Sequence, residues 1–350
     1  SWTCRNFVLA STVQTEVERK RAVRARGPGK IVAVGELLID LVPGKAGMRI
    51  ADAGPVIKTA SGSAGIFACA AARLGAKSGF VGKVGCDSLS RMAVTVLEEQ
   101  GVDLSCLVRA EEGQIGLAFL EYLEEGRRYQ YYRKDSIGSK LRAEELDESY
   151  LASAFAVHFP GMLLELSEPM RAVCYKLVEV ARRAHVLVSF DPNIRTELCA
   201  ADGARERLLW AVRHADIVAP TLEEGRMITG KTEIGDVLRA LHAMGPRVVA
   251  LTRDKDGAIL SMDGRVAVAE GIDEPPIDPT GAGDTFAAAL CVGLCEGMGL
   301  EELAGFCNSA GTLVIRHRGA IGAALPTRQE VEALAHSPLC RVHSVDLDTL

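Results

Sequence analysis

From Lys30 onward, short β-branched apolar runs alternate with longer stretches of helical periodicity, and that alternation leaves few folds open to the chain. Residues 31–35 (IVAVG), 79–84, 155–159 (FAVHF), 186–190 (VLVSF), 216–219 and 247–252 (RVVALT) are each apolar enough to be buried on both faces, as strands of a helix-covered parallel sheet are. Between them, 64–74, 87–100, 168–184 and 284–296 carry small and apolar residues at helical spacing. Parallel neighbours need crossover connections, so the pattern predicts an α/β sandwich with a mostly parallel central sheet and helices on both faces. One region breaks the rhythm. Residues 115–133 show two alternating β segments around Glu124-Glu125-Gly126, a hairpin signal rather than a βα unit. Two readings stay open: a small β lid from segments at about 38–60 and 110–135, or an ordinary edge hairpin of the main sheet.

Composition removes whole classes of function. No apolar run approaches the roughly 20 residues of a membrane-spanning helix. The formal net charge of −6 gives no electrostatic footprint for nucleic acid, and the only basic cluster is N-terminal. Ten cysteines sit mostly in apolar segments with no CxxC pair, and read as reduced core thiols of a cytoplasmic protein. Cys291 and Cys295 share a helix face, where packing is the reading unless further ligands join them. Residues 30–337 are expected to form one domain and 338–350 a C-terminal tail. Residues 1–29, basic at Lys20, Arg21, Arg24 and Arg26, are expected to be a disordered or weakly helical extension. Glu16 and Glu18 count against a transit peptide without closing off organelle targeting.

Chemistry concentrates in Asp278-Pro279-Thr280-Gly281-Ala282-Gly283-Asp284, followed by a helix of small residues. A glycine-rich turn opening a helix aims unpaired N–H groups and the positive dipole end at one point, a site for phosphate. Phosphoryl transfer needs such fixed positive ends, because charge spreads over the oxygens of the moving group. Asp284, at the helix start, can take a hydroxyl proton. The plainer reading is a tight turn with an acidic N-terminal residue, which any helix favours.

The whole string resembles the C-terminal signature of ribokinase-like carbohydrate kinases, and the likeness runs in order from about Ile31 to Pro326. Gly35-Glu36-Leu37-Leu38-Ile39-Asp40 looks like the family's first strand. Ser61-Gly62 with the following helix resembles its N-terminal Gly-Gly signature. Phe190-Asp191-Pro192-Asn193-Ile194-Arg195 is similar to a strand end facing substrate and nucleotide, and Thr221-Leu222-Glu223-Glu224 to the segment that helps place Mg²⁺. Asn308-Ser309-Ala310-Gly311 resembles the helix beside the adenine. The resemblance implies a ribokinase-like three-layer α/β/α sandwich with a small β lid, and an ATP-dependent sugar kinase. Asp284 is implied as catalytic base, with Gly281, Ala282 and Gly283 as anion hole. Asp40, Gly62, Tyr131, Arg133 and Arg195 are implied on the sugar, and Asn193, Thr221, Glu224, Thr252, Gly257 and Asn308 on the nucleotide, with Mg²⁺ held by Glu224 through water. A monovalent cation is a further candidate cofactor, and a homodimer paired through the lids is the implied assembly.

Within the family, Tyr131-Tyr132-Arg133-Lys134-Asp135-Ser136 and Asp191-Pro192-Asn193-Ile194-Arg195 resemble 2-keto-3-deoxygluconate kinases most. A carboxylated acceptor needs fixed cationic donors, which Arg133 and Arg195 would supply. Fructokinases share much of the pattern, so fructose is the rival acceptor, and a non-catalytic sugar- or partner-binding relative is the alternative of another class. Four departures bear on this. Ser61 stands for the first Gly of the pair, Ile66 where an Asn contacts sugar, Asp254 where the nucleotide loop has Gly, and Ile137-Gly138 where a small pair follows the lid arginine.

Overall fold

The computed structural model describes residues 29–45, 48–123, 126–194 and 202–350. The expected extension, Gly29 apart, lies outside the described residues, as does Arg195. Fifteen strands are present among the described residues. In chain order they are β1 (Ile31–Val34), β2 (Leu38–Pro43), β3 (Val56–Ser61), β4 (Ser78–Val81), β5 (Lys83–Val84), β6 (Val108–Arg109), β7 (Gly116–Leu123) and β8 (Gly126–Tyr132). The second half of the chain adds β9 (Ala156–Pro160), β10 (Leu187–Asp191), β11 (Ile217–Val218), β12 (Val248–Thr252), β13 (Ala258–Met262), β14 (Arg265–Ala269) and β15 (Val342–Asp346).

Nine of them form the main sheet, in the order β15-β14-β13-β12-β11-β10-β9-β1-β4. From β4 to β12 every pairing is parallel, and from β12 to β15 every pairing is antiparallel. Why the sheet sits in the middle is visible in β1. Ile31 and Ala33 join one core with helices Ser63–Arg73, Ala282–Glu296 and Leu300–Val314. Val32 and Val34 join the other core with helices Glu168–Arg183, Ala204–His214 and Ile234–Met244. Alternate residues of one strand thus feed two apolar layers, which is what a continuous apolar run requires. Phe67 and Phe80 in the first layer and Phe159 and Phe190 in the second are fully buried, each contributing about 1.5–3 kcal/mol.

The antiparallel end departs from the strand–helix alternation. β13 and β14 form a hairpin across Asp263-Gly264, both at positive φ (51° and 78°), the backbone a two-residue turn of matching twist demands. Residues 338–350, expected as a tail, instead supply β15, which pairs with β14 along its whole length. Val342 packs on one core and Val345 on the other, while the polar residues between them leave a sheet edge unattractive to foreign strands.

A second sheet of four strands runs β3-β2-β7-β8. The hairpin and the 38–60 segment therefore make a separate small sheet and are not an edge of the main one. Its pairing aligns Thr59, Asp40, Ala118 and Tyr131 on one rung. No helix among the described residues is long and apolar enough to cross a membrane.

Candidate active site

An open cleft of about 300 Å³ lies where the smaller sheet faces the carboxyl ends of β1, β9, β10 and β12, the edge of an open α/β sheet at which ligands bind. One end of it is built on the start of helix Ala282–Glu296. Buried Asp278 accepts from Thr280 N at 3.0 Å, Thr280 Oγ1 at 2.6 Å and Gly319 N at 3.1 Å, which fixes the turn leading in. Gly281 sits at φ 83°, and a Cβ there would lie 3.1 Å from Ile66 Cγ2. Ile66, standing where a polar contact to sugar was expected, thus packs against the turn. In front of Gly283 a Cβ would meet nothing within 4 Å. Ala282, expected in the anion hole, donates its N–H to Pro279 O at 3.3 Å, whereas the next amides of the first turn have no helical carbonyl to bind and the space at Gly283 is open.

Asp284, in the first turn, lines the cleft with 9% exposure. Its carboxylate accepts a hydrogen bond from the Ser63 hydroxyl, which itself accepts from Asn193 Nδ2 at 3.4 Å. Ser63 opens helix Ser63–Arg73 behind Gly62, whose φ of 107° and close approach to Glu36 O admit no side chain.

Beside this lie Thr221 and Glu224, joined in a capping box: Glu224 Oε2 accepts from Thr221 N at 2.8 Å, and Thr221 Oγ1 from Glu224 N at 3.1 Å. The other Glu224 oxygen accepts from Ile194 N at 2.6 Å. Glu224 is at once the structural cap and a member of the cleft lining, with Thr252 alongside. Gly257 and Asn308 are outside this lining. Asn308 is buried in helix Leu300–Val314 with its amide donating to Glu270 O at 2.9 Å, and Asp254, at φ 49°, is also outside it.

The opposite end draws on the small sheet. Leu38 and Asp40 of β2, Ser61 of β3, and Tyr129 and Tyr131 of β8 line it together. Ala118, between Asp40 and Tyr131 on their rung, adds no bulk. The two tyrosine rings stack with centroids 5.7 Å apart, and Tyr129 Oη lies 3.4 Å from Thr280 Oγ1.

Arg133 corrects an expectation. It is not an open clamp for a substrate carboxylate: it is 6% exposed, and its Nη1 donates to Glu36 Oε1 at 2.9 Å in a buried ion pair. Tyr131 covers the guanidinium at 4.6 Å. Glu36, not Arg133, belongs to the lining. Burial pushes the Glu36 carboxyl up to about 7, against the opposing pull of Arg133. With Glu36, Asp40, Asp191, Glu224 and Asp284, the described lining carries five carboxylates and no lysine or arginine.

Among the lining residues that the sequence does not single out are Tyr129, Glu36 and Ser63. Tyr129 shares a strand face with Tyr131 by simple alternation and was findable on that ground. Glu36 lay inside the string that singled out Asp40. Ser63 carried no signal beyond following Gly62.

A helix N-terminus that faces open space with a carboxylate in its first turn suits phosphoryl transfer to a hydroxyl. The model for the pfkB family of carbohydrate kinases matches residues 29–328, so the chain belongs to that family and is a sugar kinase. Fructokinase-1 of Oryza sativa subsp. japonica is 33% identical over 318 residues, spanning 88% of this chain and 98% of that protein. The probable chloroplastic fructokinase-6 of Arabidopsis thaliana is 33% identical over 87% of this chain and 82% of its own. Among solved structures, a putative ribokinase II from E. coli in complex with ATP and Mg²⁺ superposes with a TM-score of 0.82 at 26% identity, over 87% of this chain and 98% of that one.

Proposed function

We propose that this sugar kinase phosphorylates a primary hydroxyl of a neutral ketohexose, fructose being the foremost candidate, at the expense of ATP. The observation that carries the choice is the Glu36–Arg133 ion pair. It occupies one of the two arginines on which recognition of a sugar acid such as 2-keto-3-deoxygluconate would rest, and the described lining carries no lysine or arginine. The fructokinase relatives support the same choice.

In this mechanism the acceptor lies between Asp40, Gly62 and Tyr131, with its hydroxyl at Asp284. The hydroxyl oxygen attacks the γ-phosphorus, its proton passes to Asp284, and the bond to the ADP oxygen breaks. Ser63 orients the carboxylate. Amides of Gly281, Gly283 and Asp284 stabilise the charge on the transferring group, acting where the helix dipole is positive. Mg²⁺ keeps several waters and is held largely by nucleotide phosphates, so a carboxylate reached through water suffices on the protein side. Glu224, fixed by Thr221 and Ile194, would hold it through water, where it would neutralise phosphate charge. Asn193, Thr221 and Thr252 flank the nucleotide.

Acceptor competition is the test. With ATP and Mg²⁺, kcat/KM for fructose is expected to exceed that for 2-keto-3-deoxygluconate by at least tenfold; the reverse preference overturns the assignment.

A further inference from the structure

Two carboxylates of the cleft, Asp284 and Glu224, are tied to consecutive residues just past the end of β10. Ile194 N donates to Glu224 Oε1 at 2.6 Å. Asn193 reaches Asp284 through one intermediary: its Nδ2 donates to Ser63 Oγ at 3.4 Å, and the Ser63 hydroxyl donates to Asp284 Oδ1. Three side chains from distant parts of the chain thus form one hydrogen-bonded row, and all three line the cleft.

Chemistry fixes the direction of this row. A hydroxyl carries one proton and two lone pairs, and an ionised carboxylate only accepts. The Ser63 proton is therefore committed to Asp284, and the part of the Asn193 amide that faces Ser63 has to be its NH₂ group. A hydroxyl with a single partner can rotate away from it. With a donor seated on its lone pair, the rotamer that aims the proton at Asp284 is the one that makes both bonds.

Asn193 occupies a position that glycine would fill with less strain. Its φ is 39°, and among the described non-glycine residues at positive φ it alone lines the cleft. Its own N–H donates to Asp191 Oδ1 at 3.0 Å, which holds the turn. Asparagine tolerates left-handed backbone better than most residues, but glycine does so without penalty. What the amide does for Ser63 accounts for a side chain at this place.

Resting on the reading of Asp284 as the base, we propose that Asn193 is a positioning residue for phosphoryl transfer. Acting through Ser63, it holds the Asp284 carboxylate in the orientation that receives the acceptor proton. With Ile194 fixing Glu224 one residue further on, the end of β10 sets these two carboxylates relative to each other.

A double-mutant cycle tests this. It is read as kcat at saturating substrates, with KM for ATP beside it, on whichever of fructose and 2-keto-3-deoxygluconate the parent turns over faster. Asn193→Gly suits the backbone and removes the amide, and Ser63→Ala removes the intermediary. Each should lower kcat at least fivefold with KM for ATP within twofold of the parent. The double variant should lose no more than twofold beyond the more impaired single variant, because the two residues act as one unit. Losses that multiply overturn the proposal, as does parental kcat in Asn193→Gly. A loss that falls on KM for ATP alone also overturns it, by making Asn193 a nucleotide contact only. Where the glycine variant does not fold, Asn193→Asp keeps the size of the side chain but, when ionised, cannot donate to Ser63. A fivefold loss of kcat there that Ser63→Ala does not deepen supports the proposal, and parental kcat overturns it. Turnover retained by Asp284→Asn would remove the base itself, whereas multiplying losses beside an inactive Asp284→Asn remove only the role of Asn193, so the two readings fail separately.

Discussion

The two ends of the cleft are built on opposite principles. At the phosphoryl end, seven consecutive residues, Asp278 to Asp284, make a turn pinned by their own hydrogen bonds and deliver backbone amides to an open space. At the acceptor end, the wall is assembled from β2, β3, β8 and the end of β1, and its charge is set by two residues 97 positions apart. Backbone amides cannot be exchanged by mutation and serve every phosphoryl acceptor alike. Side chains on four segments can be exchanged one at a time, so the acceptor end is where selectivity is free to change. On the proposed mechanism, rate belongs to the first region and choice of substrate to the second.

The sharpest way to break that division is Asp284→Asn. Losing the proposed base should lower kcat by about 10²–10⁴-fold, for every acceptor, with ATP affinity by calorimetry nearly unchanged. A variant that remained active on one acceptor would join the two ends functionally.

His158 is outside the cleft lining and should touch neither function. It is fully buried in β9, stacked on Phe67 at 3.8 Å and bonded to Ser189 Oγ at 3.0 Å. Burial lowers its pKa to about 3 from a usual 6.5. Because the folded value is depressed, the unfolded chain binds the proton first as pH falls, so stability is full above pH 6.5 and declines from there towards pH 3. Between pH 7 and pH 5 this one group should remove about 2 kcal/mol, readable as a larger loss in urea melts of the parent than of His158→Leu. Equal losses in the two proteins would deny the neutral buried imidazole.

Gly281→Ala forces a side chain into left-handed backbone beside Ile66. A cost of about 1–2 kcal/mol follows, and displacement of the amides should lower kcat about tenfold on neutral and acidic acceptors equally. A change confined to one acceptor would contradict the division. Smallest of all, Tyr129→Phe removes the hydroxyl that spans the two ends near Thr280. A change below about threefold in kcat/KM is expected, as for a weak neutral hydrogen bond; a change above tenfold would make Tyr129 part of the machinery.

The same contrast explains what could be read from sequence. Asp278 to Asp284 is local, so its turn and helix start were legible residue by residue. The parallel strands were legible because each is a continuous apolar run. β15 was not: Val342-His343-Ser344-Val345-Asp346 is a half-exposed edge whose partner strand lies over seventy positions earlier. Arg133 was read as a ligand for an acid because its partner, Glu36, is distant in the chain and nothing local announces the pairing. Tyr129 obeyed the alternation that exposed Tyr131 and needed only that rule applied once more.

One measurement bears on the division most directly: kcat/KM for fructose and for 2-keto-3-deoxygluconate in the parent and in Asp284→Asn, under one set of conditions. Both values should fall by the same factor of at least 10², leaving their ratio within twofold. A ratio that moved more than tenfold, or undiminished turnover of either acceptor, would contradict it.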